Sequence, residues 1–80
     1  MMGAEISLSD LSPGIKATIV ALHGGHGFQR RLRTMGIREG KTIIVVAKQP
    51  FGGPLVLEVD GKRTTLGRGM ARRILVRWEG

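Results

Sequence analysis

Eighty residues make one small domain, and the lack of cysteine removes disulfide staples, zinc fingers, iron–sulfur ligation and thiol catalysis together. Thirteen Lys and Arg against six Asp and Glu give a charge of +7, which suits an acidic partner: nucleic acid, an anionic membrane surface or an acidic protein face. The three aromatics, Phe28, Phe51 and Trp78, are few for a protein that stacks the bases of a single strand. The longest strongly apolar run, 43–47, is far short of the roughly 18 residues a membrane helix needs. The first residues show neither the basic nor the apolar region of a secretory leader. The expectation is a cytoplasmic, non-membrane-spanning chain with one domain over 1–80 and its core in 6–78.

Leu8, Leu11 and the Ser12-Pro13-Gly14 turn read as a lead-in, with Gly14 at the position that needs positive φ. Residues 15–22 alternate as a first strand, with Ile15, Ala17, Ile19 and Ala21 on one face. The Gly24-Gly25-His26-Gly27 stretch breaks it. Residues 28–35 read as a short helix, since Phe28, Leu32 and Met35 fall on one stripe at i, i+4 and i+7. Gly36 is placed as its left-handed terminator, with Ile37 folding back on Leu32. Glu39-Gly40 turns the chain into a second strand, 41–48. The loop 49–54, QPFGGP, leads to a third strand, 55–59. Asp60-Gly61 is a type I′ hairpin signal before a fourth strand, 62–66. One helical turn in 67–72 precedes a fifth strand, 74–78, with Ile74, Val76 and Trp78 on one face.

The order predicts a mainly β fold: a small SH3-like barrel of about five strands, with one short helix between strands one and two. A five-stranded barrel of the OB type is the competitor, but there the helix normally lies between strands three and four.

No catalytic constellation is legible. The run 36–42, GIREGKT, has three residues between its glycines where a phosphate-binding loop has four, and it leads from helix to strand rather than from strand to helix. The serines have no Asp–His partner in a recognisable context. His23 and His26 flank the paired glycines and offer at most a weak divalent metal contact, two donors short of a closed structural site. Basic residues gather on the helix, at Arg30, Arg31 and Arg33, and around the last turn, at Arg68, Arg72 and Arg73. Phe51, set between prolines and glycines, either covers one end of the barrel or is offered to a partner.

Several stretches resemble one family in order and spacing: Leu8-x-x-Leu11-x-x-Gly14, Gly24-Gly25, Arg31-Leu32-x-x-Met35-Gly36-Ile37-x-x-Gly40, Gly53-Pro54, Asp60-Gly61 and Ala71-x-x-Ile74-x-Val76. Together they resemble the FeoA domain over residues 6–78. The resemblance implies an SH3-like barrel, no catalytic residues and no required cofactor. It also implies a cytosolic accessory role in ferrous iron uptake, docking on a FeoB-type permease. The expected docking residues are Arg31, Arg33, Met35, Pro50, Phe51 and Pro54, with Gly14, Gly36, Gly40 and Gly61 as structural turns. The competing expectations are an RNA-binding SH3-like module and a metal-sensing domain related to the C-terminal part of iron-dependent repressors. DNA is not an expected partner; self-association through a barrel edge is a further one.

Overall fold

The computed structural model describes residues 4–78. Six strands form one antiparallel sheet: β1 (Ala4–Ser7), β2 (Lys16–Leu22), β3 (Thr42–Lys48), β4 (Leu55–Val59), β5 (Lys62–Leu66) and β6 (Ile74–Trp78). Their order across the sheet is β1-β6-β2-β3-β4-β5. Helix α1 (His26–Thr34) joins β2 to β3, and the single turn α2 (Arg68–Ala71) joins β5 to β6.

Two expectations need correction. Among the described residues there are six strands, not five, so the main helix lies between the second and third. The strand that sequence reasoning misses, β1, carries one large apolar residue, Ile6, and pairs only with β6, Ile6 opposite Val76. Too few alternating residues are present for a period of two to register. Helix α1 also starts at His26 rather than Phe28. Gly25 is its N-cap and makes no side-chain cap bond, so no Ser, Thr, Asp or Asn marks the start.

A bulge corrects the first strand. Ile19 pairs with Val76, but Ala21 pairs with Leu75, so Val20 is an extra residue in β2. An inserted residue reverses the facing of all that follow it. Ala17, Ile19 and then Leu22 are therefore buried, not Ala21. Ile15 falls outside the strand and is 37% exposed. A second bulge, at Val46, bends β3 in the same way.

One apolar cluster holds the fold. It takes Ala17 and Ile19 from β2, Ile43 and Val45 from β3, Leu55, Leu57 and Val59 from β4, Leu66 from β5, and Ile74 and Val76 from β6. Leu32 of α1 and Ala71 of α2 close over it. Each fully buried Leu, Ile or Val contributes about 1.5–3 kcal/mol relative to exposure.

Helix α1 stops as its sequence requires. The amide of Ile37 donates to the Leu32 carbonyl at 2.9 Å, and that of Gly36 to the Arg33 carbonyl at 3.0 Å. Gly36 has φ +84°. This is the Schellman arrangement, and the apolar contact that accompanies it is Leu32 with Ile37, both 0% exposed. At the β4–β5 hairpin Val59 pairs with Lys62. Asp60 and Gly61 have φ of 53° and 76°, the positive pair of a type I′ turn.

Candidate functional site

The residues expected to meet a partner separate into two places. Arg33 and Met35 line a cleft of about 350 Å³ with Gly36, Arg38, Asp60 and Lys62, at the hairpin end of β4. Pro50, Phe51 and Pro54 lie at the other end of that strand, in the turn leading into Leu55. Five residues of β4 put the two ends on the order of 13 Å apart.

The helix side is basic. His26, Arg30, Arg33, Thr34 and Arg38 line a second cleft of about 340 Å³, which shares Arg33, Thr34 and Arg38 with the first. Helical spacing explains the grouping: positions 26, 30 and 33 fall within about 60° of one another around the axis. The Schellman reversal then carries Arg38 back beside the last turn. Arg31 is exposed and lies about 100° from Arg30, nearer the buried stripe.

Arg33 is fixed within this face. Its Nη2 donates to both Glu39 carboxylate oxygens at 3.2 Å, and its Nη1 to Gln29 Oε1 at 3.4 Å. Gln29 Nε2 in turn donates to the Gly24 carbonyl at 2.9 Å, holding the glycine turn against the helix. A hydrogen bond from its own backbone amide, and then Arg33, hold the Glu39 carboxyl below its usual range, against slight desolvation. With a lowered pKa, its contribution to stability is present above the ordinary carboxylate range and lost as pH falls through the folded value. Both partners are nearly half exposed, so the pair contributes little. Among the described residues, Arg30, Arg31 and Arg38 have no carboxylate within ion-pair distance.

The turn at the other end is more rigid than its glycines suggest. The Gly53 amide donates to the Pro50 carbonyl at 3.2 Å and the Gln49 amide to the Pro54 carbonyl at 3.0 Å. Arg68, at the start of α2, donates through Nε to the Gly53 carbonyl at 3.1 Å and through Nη2 to the Gln49 carbonyl at 3.0 Å. At the tip, Phe51 has φ 60°, which is rare for a bulky side chain. Its ring is 103% exposed and does not cover the fold. Arg68→Ala removes both latch bonds. We expect a loss of about 1–2 kcal/mol and faster hydrogen exchange at the Gln49 and Gly53 amides, read by NMR; unchanged protection would show that Arg68 does not hold the turn.

His23 and His26 lie on either side of the Gly24-Gly25 turn, at the end of β2 and the start of α1. His26 lies among three arginines in the basic cleft. The backbone amide of His23 donates to the Arg73 carbonyl at 2.7 Å. Among the described residues no group of three His, Cys, Asp or Glu side chains is placed to hold a metal ion. Gly14, Gly36, Gly40 and Gly61 all have positive φ. Sequence reasoning misses Arg38, Lys62 and the latching role of Arg68. The cap at Gly36 is a signal that finds Arg38, because a chain reversing after a helix returns beside its last turn. Nothing in the sequence announces the other two.

Known proteins share this arrangement of elements. The FeoA domain family matches residues 6–77. The chain is 32% identical over 63 residues to the putative Fe(2+) transport protein A of Methanocaldococcus jannaschii, covering 79% of this chain and 74% of that one. It is 36% identical over 69 residues to an Fe(2+) transport protein A/Fe(2+) transporter FeoB fusion protein of Porphyromonas gingivalis, covering 86% of this chain but 8% of the fusion. The crystal structure of an iron uptake regulatory protein, FeoA, superposes with a TM-score of 0.87 at 38% identity, over 92% of this chain and 97% of that one. The SH3-like fold expected from the sequence is therefore present, with six strands in place of five. Because the family match runs from β1 into β6 and the structural likeness extends over nearly the whole chain, this protein belongs to the FeoA domain family.

Proposed function

We propose that this protein is a non-enzymatic cytoplasmic accessory of ferrous iron uptake that docks on the cytosolic face of a FeoB-type permease. The observation that carries this reading is the Porphyromonas gingivalis relative, in which an Fe(2+) transport protein A and an Fe(2+) transporter FeoB are one fusion protein. Physical linkage of two parts in one chain raises their effective concentration and favours modules that work in contact. Ferrous iron is the cargo of the permease in this reading. The domain would meet its partner as one six-stranded sheet, with β1 and β5 at the two ends of the strand order.

The docking face is the basic side of α1. Arg30 and Arg38 supply charge without internal ion pairs among the described residues, Arg31 flanks them, Arg33 is preset by Glu39, and Met35 adds an adaptable apolar contact. The +7 charge also fits RNA, but the aromatics do not form a stacking platform. Phe28 packs against the core with Arg73 over its ring at 5.1 Å, Trp78 is half-buried, and Phe51 stands alone.

The test is a pull-down of the full chain with the full-length permease of the same organism and with its cytosolic domain, at low and moderate salt, with RNA as a parallel bait. We expect permease binding that survives moderate salt and falls about tenfold or more in an Arg30→Glu/Arg38→Glu double variant. Absence of permease binding, with RNA binding that collapses as salt rises, overturns the reading.

A further inference from the structure

A third cleft, apart from the basic face, is apolar. Ile6 of β1, Leu11, Ile15 and Trp78 of β6 line a cavity of about 160 Å³ together with Asp10 and Ser12. Ile15 is one of two large apolar side chains exposed among the described residues; the other is Phe51. An apolar cavity of about 150 Å³ accommodates a benzene ring. The molecule thus displays a free phenyl ring and, elsewhere, a cleft of the size of that ring.

The ring does not fill the cleft of its own chain. Gly53 to Pro50, Gln49 to Pro54 and the two Arg68 bonds hold the turn in the form that leaves Phe51 fully exposed. Phe51 is not among the residues that line the cleft of its own chain. A ring held outward by its backbone is prepaid in conformational entropy, as an anchor for another molecule must be. Charge matches as well. The segment Gln49–Pro54 contains no acidic residue and is backed by Arg68, while the cleft carries Asp10.

We propose that Phe51 of one copy of this chain inserts into the Ile6–Leu11–Ile15–Trp78 cleft of a second copy, so that the protein self-associates weakly through a ring and a cleft rather than through a strand edge. Each copy offers one ring and one cleft. The two surfaces differ, so the contact is heterologous and extends or closes according to the rotation between copies. Two chains of +7 repel at low salt. Screening relieves this net repulsion more than it weakens a single charge match, so salt strengthens the contact, opposite in sign to a contact with RNA or an acidic face. The contact does not depend on the permease reading.

The test is sedimentation equilibrium of the full chain from micromolar to millimolar concentration, at low and moderate salt. Phe51→Ser removes the ring and Ile15→Arg blocks the cleft; both sites are exposed, and a native backbone amide spectrum confirms that each variant folds. We expect reversible association that increases with salt, and a loss of about tenfold or more in association constant for each variant alone. Mixing the two variants restores a complex, because the ring of Ile15→Arg meets the open cleft of Phe51→Ser. A wild type that stays monomeric at millimolar concentration, a Phe51→Ser variant that associates as the wild type does, or a variant mixture that forms no complex overturns the proposal. Monomeric wild type together with loss of permease binding in Phe51→Ser overturns self-docking and assigns the ring to the permease.

Discussion

Leu32→Ala is expected to destabilise the domain by about 3–4 kcal/mol, the cost of a buried Leu truncated in a core that cannot fully collapse. Leu32 is 0% exposed, and its side chain ties α1 to the sheet. Its carbonyl also accepts the Ile37 amide that ends the helix, so truncation loosens the apolar half of that cap. A domain of this size has only about 4–12 kcal/mol of total stability. The variant therefore loses a large share of that stability, with a urea midpoint reduced by about a quarter or more. Since Arg30 and Arg33 lie on this helix, the proposed permease docking should fall with the folded fraction. A midpoint within error of wild type would show that α1 is not coupled to the core.

Gly36→Val should cost about 2 kcal/mol, for a different reason. A Cβ at Gly36 meets nothing within 4 Å, so space is not the obstacle. The obstacle is φ of +84°, where a side chain pays about 1–2 kcal/mol and a β-branched one pays most. Gly36→Asn is the control. Asparagine tolerates the left-handed region and should lose well under half as much. Thermal melts of the pair decide the matter: equal losses would point to a hidden steric clash instead of backbone strain.

These two sites also show what could be read without a structure. The end of α1 was legible because every component is local: the stripe of Phe28, Leu32 and Met35, the glycine, and the returning Ile37 lie within ten consecutive residues. The Asp60-Gly61 hairpin was legible for the same reason, since φ is positive at both central residues of a type I′ turn and the dipeptide supplies it. The facing of Ala21 and Leu22 was not, because the bulge at Val20 is defined only against Val76 and Leu75 of a strand more than fifty residues away. Strand β1 was hidden similarly, as a short edge whose only neighbour is near the other end of the chain. For the site, the residue types were legible and their grouping was not. Arg33 and Phe51 are exposed and Met35 packs partly against the core, but the length of β4 puts the helix face and the aromatic turn at opposite ends of that strand.

The pairing of β1 with β6 carries a consequence for how the molecule comes together. Ala4 lies opposite Trp78, so that ladder forms only after some seventy residues of chain have been brought round on themselves. The β4–β5 hairpin closes across two residues. Loop closure grows only slowly with length, about 0.6 kcal/mol per doubling, yet it must be met before distant contacts reward it. Assembly should then run from the middle of the chain outward, with β1 joining late. In the finished protein that strand holds on through one neighbour, and an element with few buried contacts opens at lower free energy than the whole. Its amides should be the first in the sheet to trade protons with water, well before the β2–β6 pair beside them.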